Sequence, residues 1–169
     1  RLSEKTSYKA PELSFLSGIL HDVGRMVLWV NFPDEYGKVL QAARNRSETL
    51  LEGELRMGIT HAEVGSWLLN RWGLDAYTAD AARYHNEPLD RIHSSYQLIK
   101  MIYAANILAD MPDSDFSRYE VIRELFGISF TDITDMLAAA QEEVRELAES
   151  LGIQIDPVDP QHQPLDETD

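Results

Sequence analysis

Hydrophobic residues in this chain recur every three or four positions, which is the period of an α-helix, and no stretch alternates with the two-residue period of a strand. Thr60 and Glu63 form the T-x-x-E capping signal of a helix start. Gly73 and Gly152 are natural helix ends. The pattern predicts an all-α protein, with helices over about residues 11–22, 25–30, 34–46, 48–57, 60–72, 75–85, 95–110, 119–126 and 131–151.

Apolar positions inside these helices predict which side chains form the core. The residues expected to be buried are Trp67, Leu68, Ile99, Ile102 and Leu108. The segment "MPDSD" (111–115) contains proline and interrupts the helical pattern. We therefore expect a helical core over residues 1–112, a C-terminal helical extension over 113–155 and a flexible, Pro- and Asp-rich tail over 156–169.

The predicted C-terminal helix carries an apolar stripe with spacings of three and four residues. Its members are Ile133, Leu137, Ala140, Val144, Leu147 and Leu151. Such a stripe either packs on the same domain or contacts a partner helix, including that of a second copy in a homodimer. The first residue is Arg1 rather than Met, so we expect residues to be missing upstream.

The charge of the chain limits its partners. With 29 acidic and 15 basic residues the net charge is −14. An acid excess of this size repels phosphate backbones and anionic lipid headgroups, so neither nucleic acid nor a membrane surface is expected as a partner. The absence of cysteine excludes disulfide scaffolds and Cys-based zinc sites, and is compatible with the cytoplasm, where we expect the protein to be.

The apolar stretch "FLSGILHDVGRMVLWV" (15–30) contains an adjacent His21 and Asp22. The polar residues that break this stretch favour a core segment over a membrane span. Burying an ionised carboxylate costs several kcal/mol unless it has a partner, which here is either a metal ion or a set of hydrogen bonds. His61 and His85 also lie near predicted helix ends. Imidazole and carboxylate groups together are ligands for zinc, iron or manganese, but single histidines at helix ends more often serve packing or capping.

Four motifs then occur in a recognisable order: "FLSGILHDVGRMVL", "ELRMGITHAEVGSWLLNRWGL", "AARYHNEPL" and "LIKMIYAANILAD". Over roughly residues 13–110 the chain resembles the HD-related output domain family, HDOD, a branch of the HD phosphohydrolase superfamily. The resemblance implies a compact multi-helix HD-like bundle. It also implies a regulatory domain attached to other signalling domains.

The resemblance further implies a site that has lost parts of its metal shell. His21 and Asp22 match the His-Asp pair of catalytic HD enzymes. His61 and His85 fall where the HD-GYP cyclic-diguanylate phosphodiesterases carry additional ligands. Asn106 stands where the family has a late aspartate, and Asn86 where it has the second His of a His-His pair, so both are neutral amides. No Gly-Tyr-Pro motif follows His85. We therefore expect no catalytic residue, metal or cofactor, but a vestigial pocket of His21, Asp22, His61, His85, Asn86 and Asn106, with Asp22 held by hydrogen bonds from the histidines.

Two functions remain open at this point. The first is a non-catalytic regulatory or protein-interaction module of bacterial-type signal transduction. We expect such a module to belong to a larger protein and to act on a protein partner or an attached signalling domain. The second is a metal-dependent phosphohydrolase acting on a cyclic dinucleotide or another nucleotide. In that case His21, Asp22, His61 and His85 bind the metal, and a metal-bound hydroxide attacks phosphorus.

Overall fold

A computed structural model of the chain describes residues 1–110 and 116–153, and all regular structure in these ranges is helical, which confirms the all-α prediction. The helices are α1 (Leu2–Lys5), α2 (Pro11–Leu20), α3 (Val23–Asn31), α4 (Pro33–Arg44), α5 (Leu50–Met57), α6 (His61–Arg71), α7 (Ala76–Tyr84), α8 (Leu89–His93), α9 (Gln97–Asp110), α10 (Ser117–Phe126) and α11 (Phe130–Ser150). The short helices α1 and α8 were not predicted by the periodicity.

Local capping chemistry sets the start of two helices. At α6 the Thr60 hydroxyl accepts the N–H of Glu63, and the Glu63 carboxylate accepts the N–H of Thr60, so the predicted capping box is confirmed. An equivalent box of Thr49 and Glu52 begins α5 and was not recognised in the sequence. Each box satisfies backbone donors that have no partner within the helix. The N-terminus of α5 is thereby fixed at the edge of the site described below.

The backbone divides into two units, Arg1–Phe130 and Thr131–Asp169. In the first unit α9 contacts α1, α2, α7, α8 and α10, while α6 packs against α3 and α7. Ile99, Ile102 and Leu108 are buried as predicted. Trp67 was predicted to be buried but is 64% exposed. It lies two residues after Gly65, about 200° around α6 from the face that contacts α3.

The first unit extends further along the chain than the predicted core. Ile122 in α10 is fully buried, and Leu125 and Phe126 pack against the cluster that α9 contributes to the core. Burial of this apolar face keeps α10 in the first unit. The division therefore falls after Phe130, whereas the predicted boundary at residue 112 and the predicted tail 156–169 lie outside the described residues.

The apolar segment Pro11–Asn31 is less buried than the sequence predicts. Only 17% of its most apolar 18-residue window is buried, although by length and composition alone the segment is sufficient to span a membrane. The prediction of a core segment is wrong for one side of this segment, which is exposed at Phe15, Ile19, Met26 and Val30. The other side holds Ser17, Gly24 and Leu28, which are buried.

Candidate functional site

A pocket of about 300 Å³ opens where the first turn of α3 meets α5, α6, α7 and α9. Its lining residues are Asp22, Arg25, Thr49, Leu50, Leu51, His61, His85, Asn86 and Asn106. The His21 ring packs edge-on against the His85 ring, with 4.9 Å between their centres. The structure thus brings together all six residues of the predicted vestigial pocket. His93 is placed elsewhere, where it pairs with Glu124 at 2.8 Å.

A close crossing of α3 and α6 positions the His-Asp pair beside His61. A Cβ atom at Gly24 would lie 1.9 Å from the His61 carbonyl oxygen and 2.7 Å from the Gly65 nitrogen. A Cβ atom at Gly65 would lie 3.3 Å from the Gly24 nitrogen. Only glycine lets the two backbones approach this closely. Because Asp22 lies two residues before Gly24, the crossing carries its carboxylate to the His61 ring.

All three pocket histidines present the same nitrogen to the pocket. The Nδ1–H of His21 donates to the Gly18 carbonyl at 2.7 Å, and that of His85 donates to the Ala82 carbonyl at 2.8 Å. The Nδ1–H of His61 donates to the carboxylate of Glu54 at 2.6 Å. A neutral imidazole with its proton on Nδ1 has a lone pair on Nε2. The Nε2 atoms therefore face Asp22, at 3.8 Å from Oδ2 for His21 and at 3.4 Å from Oδ1 for both His61 and His85.

Glu54 is a site residue that the sequence reasoning missed. Its side chain is fully buried and accepts hydrogen bonds from the His61 ring, from the His61 backbone N–H at 2.9 Å and from the Tyr36 hydroxyl at 2.8 Å. Burial raises the pKa of Glu54, but the hydrogen bonds from the His61 ring, the His61 backbone and the Tyr36 hydroxyl outweigh it, so the pKa lies below its ordinary value. Glu54 thus fixes the orientation of His61 from behind the pocket.

The two asparagines form a hydrogen-bonded chain across the pocket. The side-chain amide of Asn106 donates to the Asn86 oxygen at 3.3 Å. The Asn86 amide nitrogen lies 3.0 Å from His61 Nε2 and 2.9 Å from His85 Nε2, which are themselves 3.2 Å apart. The Asn86 NH₂ group therefore donates to both imidazole rings and lies between them.

Asp22 contacts Arg25 in addition to the histidines of the pocket. Its shortest hydrogen bond comes from Arg25, whose Nη1 lies 2.8 Å from Oδ2, whereas the Nε2 atoms of His61 and His85 both lie 3.4 Å from Oδ1. The prediction omitted Arg25, which makes the shorter contact with this carboxylate. Burial raises the pKa of Asp22, but its contacts with His85 and Arg25 lower it overall.

We expect acid to destabilise the protein through this pocket. A carboxylate with a lowered folded-state pKa contributes stability above its unfolded-state pKa, about 3.8 for aspartate, and loses it as the pH falls further. The contribution of Asp22 to the free energy of unfolding, measured in urea, should therefore be nearly constant above roughly pH 5 and should decrease below that pH. In Asp22→Asn the loss of stability on acidification should be smaller than in the parent. An identical pH slope in both proteins would contradict this assignment.

A divalent metal could be held by one part of the pocket. His21, Asp22 and His85 offer one ligand atom each, and these atoms lie within 4.8 Å of one another. Nε2 ligands with an outward Nδ1–H bond are typical of histidines in metal sites. Two features oppose this use, because the Asn86 amide contacts Nε2 of His85 and the Arg25 guanidinium neutralises Asp22. The arrangement thus combines three candidate ligand atoms with an amide donor and a guanidinium beside them.

Comparison with known proteins agrees with this architecture. The family model of the HDOD domain matches residues 1–88, which is more than half of the chain, and the chain belongs to the HDOD family. It is also similar to an uncharacterized protein of Treponema pallidum (strain Nichols), with 27% identity over 141 residues. The similarity covers 82% of this chain and 26% of that protein, so the chain spans about a quarter of this relative. No solved structure matches the chain significantly.

Proposed function

We propose that the chain is a non-catalytic regulatory module of bacterial-type signal transduction that acts through a protein partner or an attached signalling domain. Membership in the HDOD family supports a role of this kind. The match to only a quarter of a longer relative supports a place within a larger protein. The cytoplasm and the absence of a resident cofactor are parts of the same proposal.

The observation that carries this proposal is the position of the Asn86 amide. Its nitrogen contacts Nε2 of both His61 and His85 within 3.0 Å. Water activation for phosphoester hydrolysis needs an oriented shell around bound metal ions. An amide donor between two histidines satisfies their lone pairs without any metal. The neutral Asn106 amide behind it adds no charge that would attract a cation.

We expect no hydrolysis of phosphoesters by this protein. The assay uses a panel of cyclic dinucleotides, cyclic mononucleotides and polyphosphates, with manganese, iron or zinc supplied, and metal analysis of protein purified without chelator. The control is the double variant His21→Ala with Asp22→Ala, which removes the predicted pair. Turnover by the parent that disappears in this variant would overturn the non-catalytic assignment.

Substitution of the asparagines tests why activity is absent. Asn106→Asp introduces a negative charge at the pocket, and Asn86→His exchanges the amide for an imidazole, so we expect the two together to raise affinity for manganese by at least about tenfold. Asn70→Asp, on α6 and partnered only by its own helix, is a matched control that should not change metal affinity. Equal metal affinity of the double variant and the parent would show that the amides do not determine the loss of metal.

The alternative function is a metal-dependent phosphohydrolase of the HD-GYP kind. The spacing of the ligand atoms of His21, Asp22 and His85 favours it. In that function these residues and His61 bind the metal, which supplies an activated hydroxide for attack on a cyclic dinucleotide or nucleotide. The same assay decides between the two functions, because only the alternative predicts metal in the purified protein and turnover that requires the His-Asp pair.

A further inference from the structure

Helix α5 forms one wall of the pocket, through its cap Thr49 and through Leu50 and Leu51 in its first turn. Its main helix contact is with α4. The structure describes α5 in full, and the residues of this helix that are buried are a glycine and a carboxylate, Gly53 and Glu54. The side of α5 that faces the protein is therefore poor in apolar side chains.

The other walls of the pocket have a stronger apolar anchorage than α5. On α5, Leu50 and Met57 are only partly buried, and Leu55 is 62% exposed. Helices α6, α7 and α9 instead contribute to two buried clusters, whose members from these helices are Leu69, Ala79, Ala81, Ala82, Leu98, Ile99, Met101 and Ile102. Because burial of apolar area is the dominant stabilising force in a fold, α5 is the least firmly anchored of these walls.

The carboxylate of Glu54 is what joins α5 to α6. It accepts hydrogen bonds from the His61 ring at 2.6 Å, from the His61 backbone N–H at 2.9 Å and from the Tyr36 hydroxyl at 2.8 Å. One side chain thus connects α5 to α6 and to α4. Water replaces such bonds when their groups are released into solvent, so the net contribution of each bond is modest. All three bonds break together when the carboxylate withdraws.

The chain segments on either side of α5 allow this helix to move. Residues 44–47 before it and residues 58–59 after it are exposed. Arg46 (φ 54°) and Gly58 (φ 83°) place a left-handed residue in each segment. Isolated helices shorter than roughly 12–15 residues are marginal in water, and α5 has 8 residues. A detached α5 therefore unfolds, and its backbone amides become accessible to solvent.

We propose that α5 is a movable wall of the pocket, which the Glu54 carboxylate holds closed, and that release of this carboxylate opens the pocket. In the open state Thr49, Leu50 and Leu51 leave the pocket, and the His61 ring is exposed to solvent. A ligand or partner that binds the open state shifts the population toward it. The regulatory meaning of this opening rests on the proposed function, whereas the motion itself does not depend on whether the pocket is catalytic.

Native-state hydrogen exchange of the full 169-residue chain tests the opening. We expect the amides of α5 to exchange at least about 100-fold faster than those of α9, which should exchange only on global unfolding. Glu54→Gln removes the charge that holds α5 and should accelerate exchange in α5 by at least about tenfold. Tyr36→Phe, which keeps the carboxylate and removes one of its donors, should act in the same direction. Glu35→Gln removes an exposed carboxylate of α4 and is the matched control, which should leave the exchange rate of α5 unchanged.

Modification of histidines by diethyl pyrocarbonate, mapped by mass spectrometry, tests whether the pocket opens together with α5. His61 is 3% exposed, so its modification requires the opening. In Tyr36→Phe the rate of modification of His61 should rise by the same factor as the exchange rate of α5. His93 is the internal control, because its side chain is 37% exposed and it pairs with Glu124, away from the pocket. Its rate of modification should be equal in the parent and the variant.

Three results would overturn the proposal. The first is exchange of α5 that is no faster than exchange of α9. The second is a Glu54→Gln variant in which exchange accelerates in α9 but not in α5, because α5 would then open without releasing the carboxylate. The third is accelerated exchange of α5 in Tyr36→Phe with unchanged modification of His61. None of these measurements depends on metal or on phosphoester turnover, so failure of this proposal is distinguishable from failure of the proposed function.

Discussion

Gly24→Ala is expected to destabilise the first unit by at least about 3 kcal/mol, or to prevent folding, because the new methyl group has no space. Its Cβ would lie 1.9 Å from the His61 carbonyl oxygen and 2.7 Å from the Gly65 nitrogen, both of which are backbone atoms of α6. A flexible side chain could move aside, but a helix backbone can give way only by shifting the whole α3–α6 contact. The effect is measured as the midpoint of urea or thermal unfolding.

Gly18→Ala is the control for this substitution. Gly18 also lies within a helix, α2, but the nearest atom to its Cβ position is Ile102 Cδ1 at 4.0 Å. Replacing a helical glycine with alanine at an uncrowded position stabilises a helix by roughly 0.5–1 kcal/mol. We therefore expect the two glycine variants to change stability in opposite directions. If Gly24→Ala and Gly18→Ala unfolded alike, the close crossing of α3 and α6 would be refuted.

Glu54→Ala is expected to cost roughly 3–5 kcal/mol of unfolding free energy, because it leaves several buried donors without an acceptor at about 1–3 kcal/mol each. The substitution leaves the His61 ring N–H, the His61 backbone N–H and the Tyr36 hydroxyl without their shared acceptor. Each is buried or nearly so, and a buried donor without a partner costs the free energy of its lost hydration. Chemical denaturation at neutral pH measures the effect.

Two variants calibrate the Glu54 result. Tyr36→Phe removes one hydrogen bond to the carboxylate and leaves the others, so it should cost about 1.5–3 kcal/mol. Glu146→Ala removes an exposed glutamate of α11 and should change stability by no more than about 0.5 kcal/mol. The ranking Glu54→Ala, Tyr36→Phe, Glu146→Ala is the prediction. A cost of Glu54→Ala no larger than that of Glu146→Ala would mean that Glu54 does not support His61.

The predictions for Gly24 and Glu54 test two separate supports of the same pocket. Gly24 lets α3 bring Asp22 to α6, and Glu54 orients the His61 ring toward Asp22. Neither support involves the side chain of Asn86 or Asn106. Packing of the two helices and hydrogen bonds from behind the pocket therefore hold the histidines in place whichever groups occupy the pocket.

Nine of the helices that the structure describes, all but the short α1 and α8, could be predicted from the sequence alone, because their signals lie within a few residues of one another. The three-to-four residue period and the box of Thr60 and Glu63 act within one or two turns. His21 and Asp22 are consecutive residues, so their closeness could also be read directly from the sequence. That these residues would share a pocket with His61 and His85 came from the resemblance to a family, since no local rule relates positions 40 and 64 residues apart.

Only the tertiary structure decided what surrounds each side chain. Glu54 is one of 29 acidic residues and is indistinguishable by pattern from exposed ones, yet Tyr36 and His61 enclose it. Trp67 and Met26 have apolar side chains that predict burial, yet within residues 1–110 and 116–153 no helix covers the side of α6 or α3 on which they lie. Burial depends on which helix faces are in contact, and that depends on distant pairs such as Gly24 and Gly65, where the missing side chains let two backbones meet.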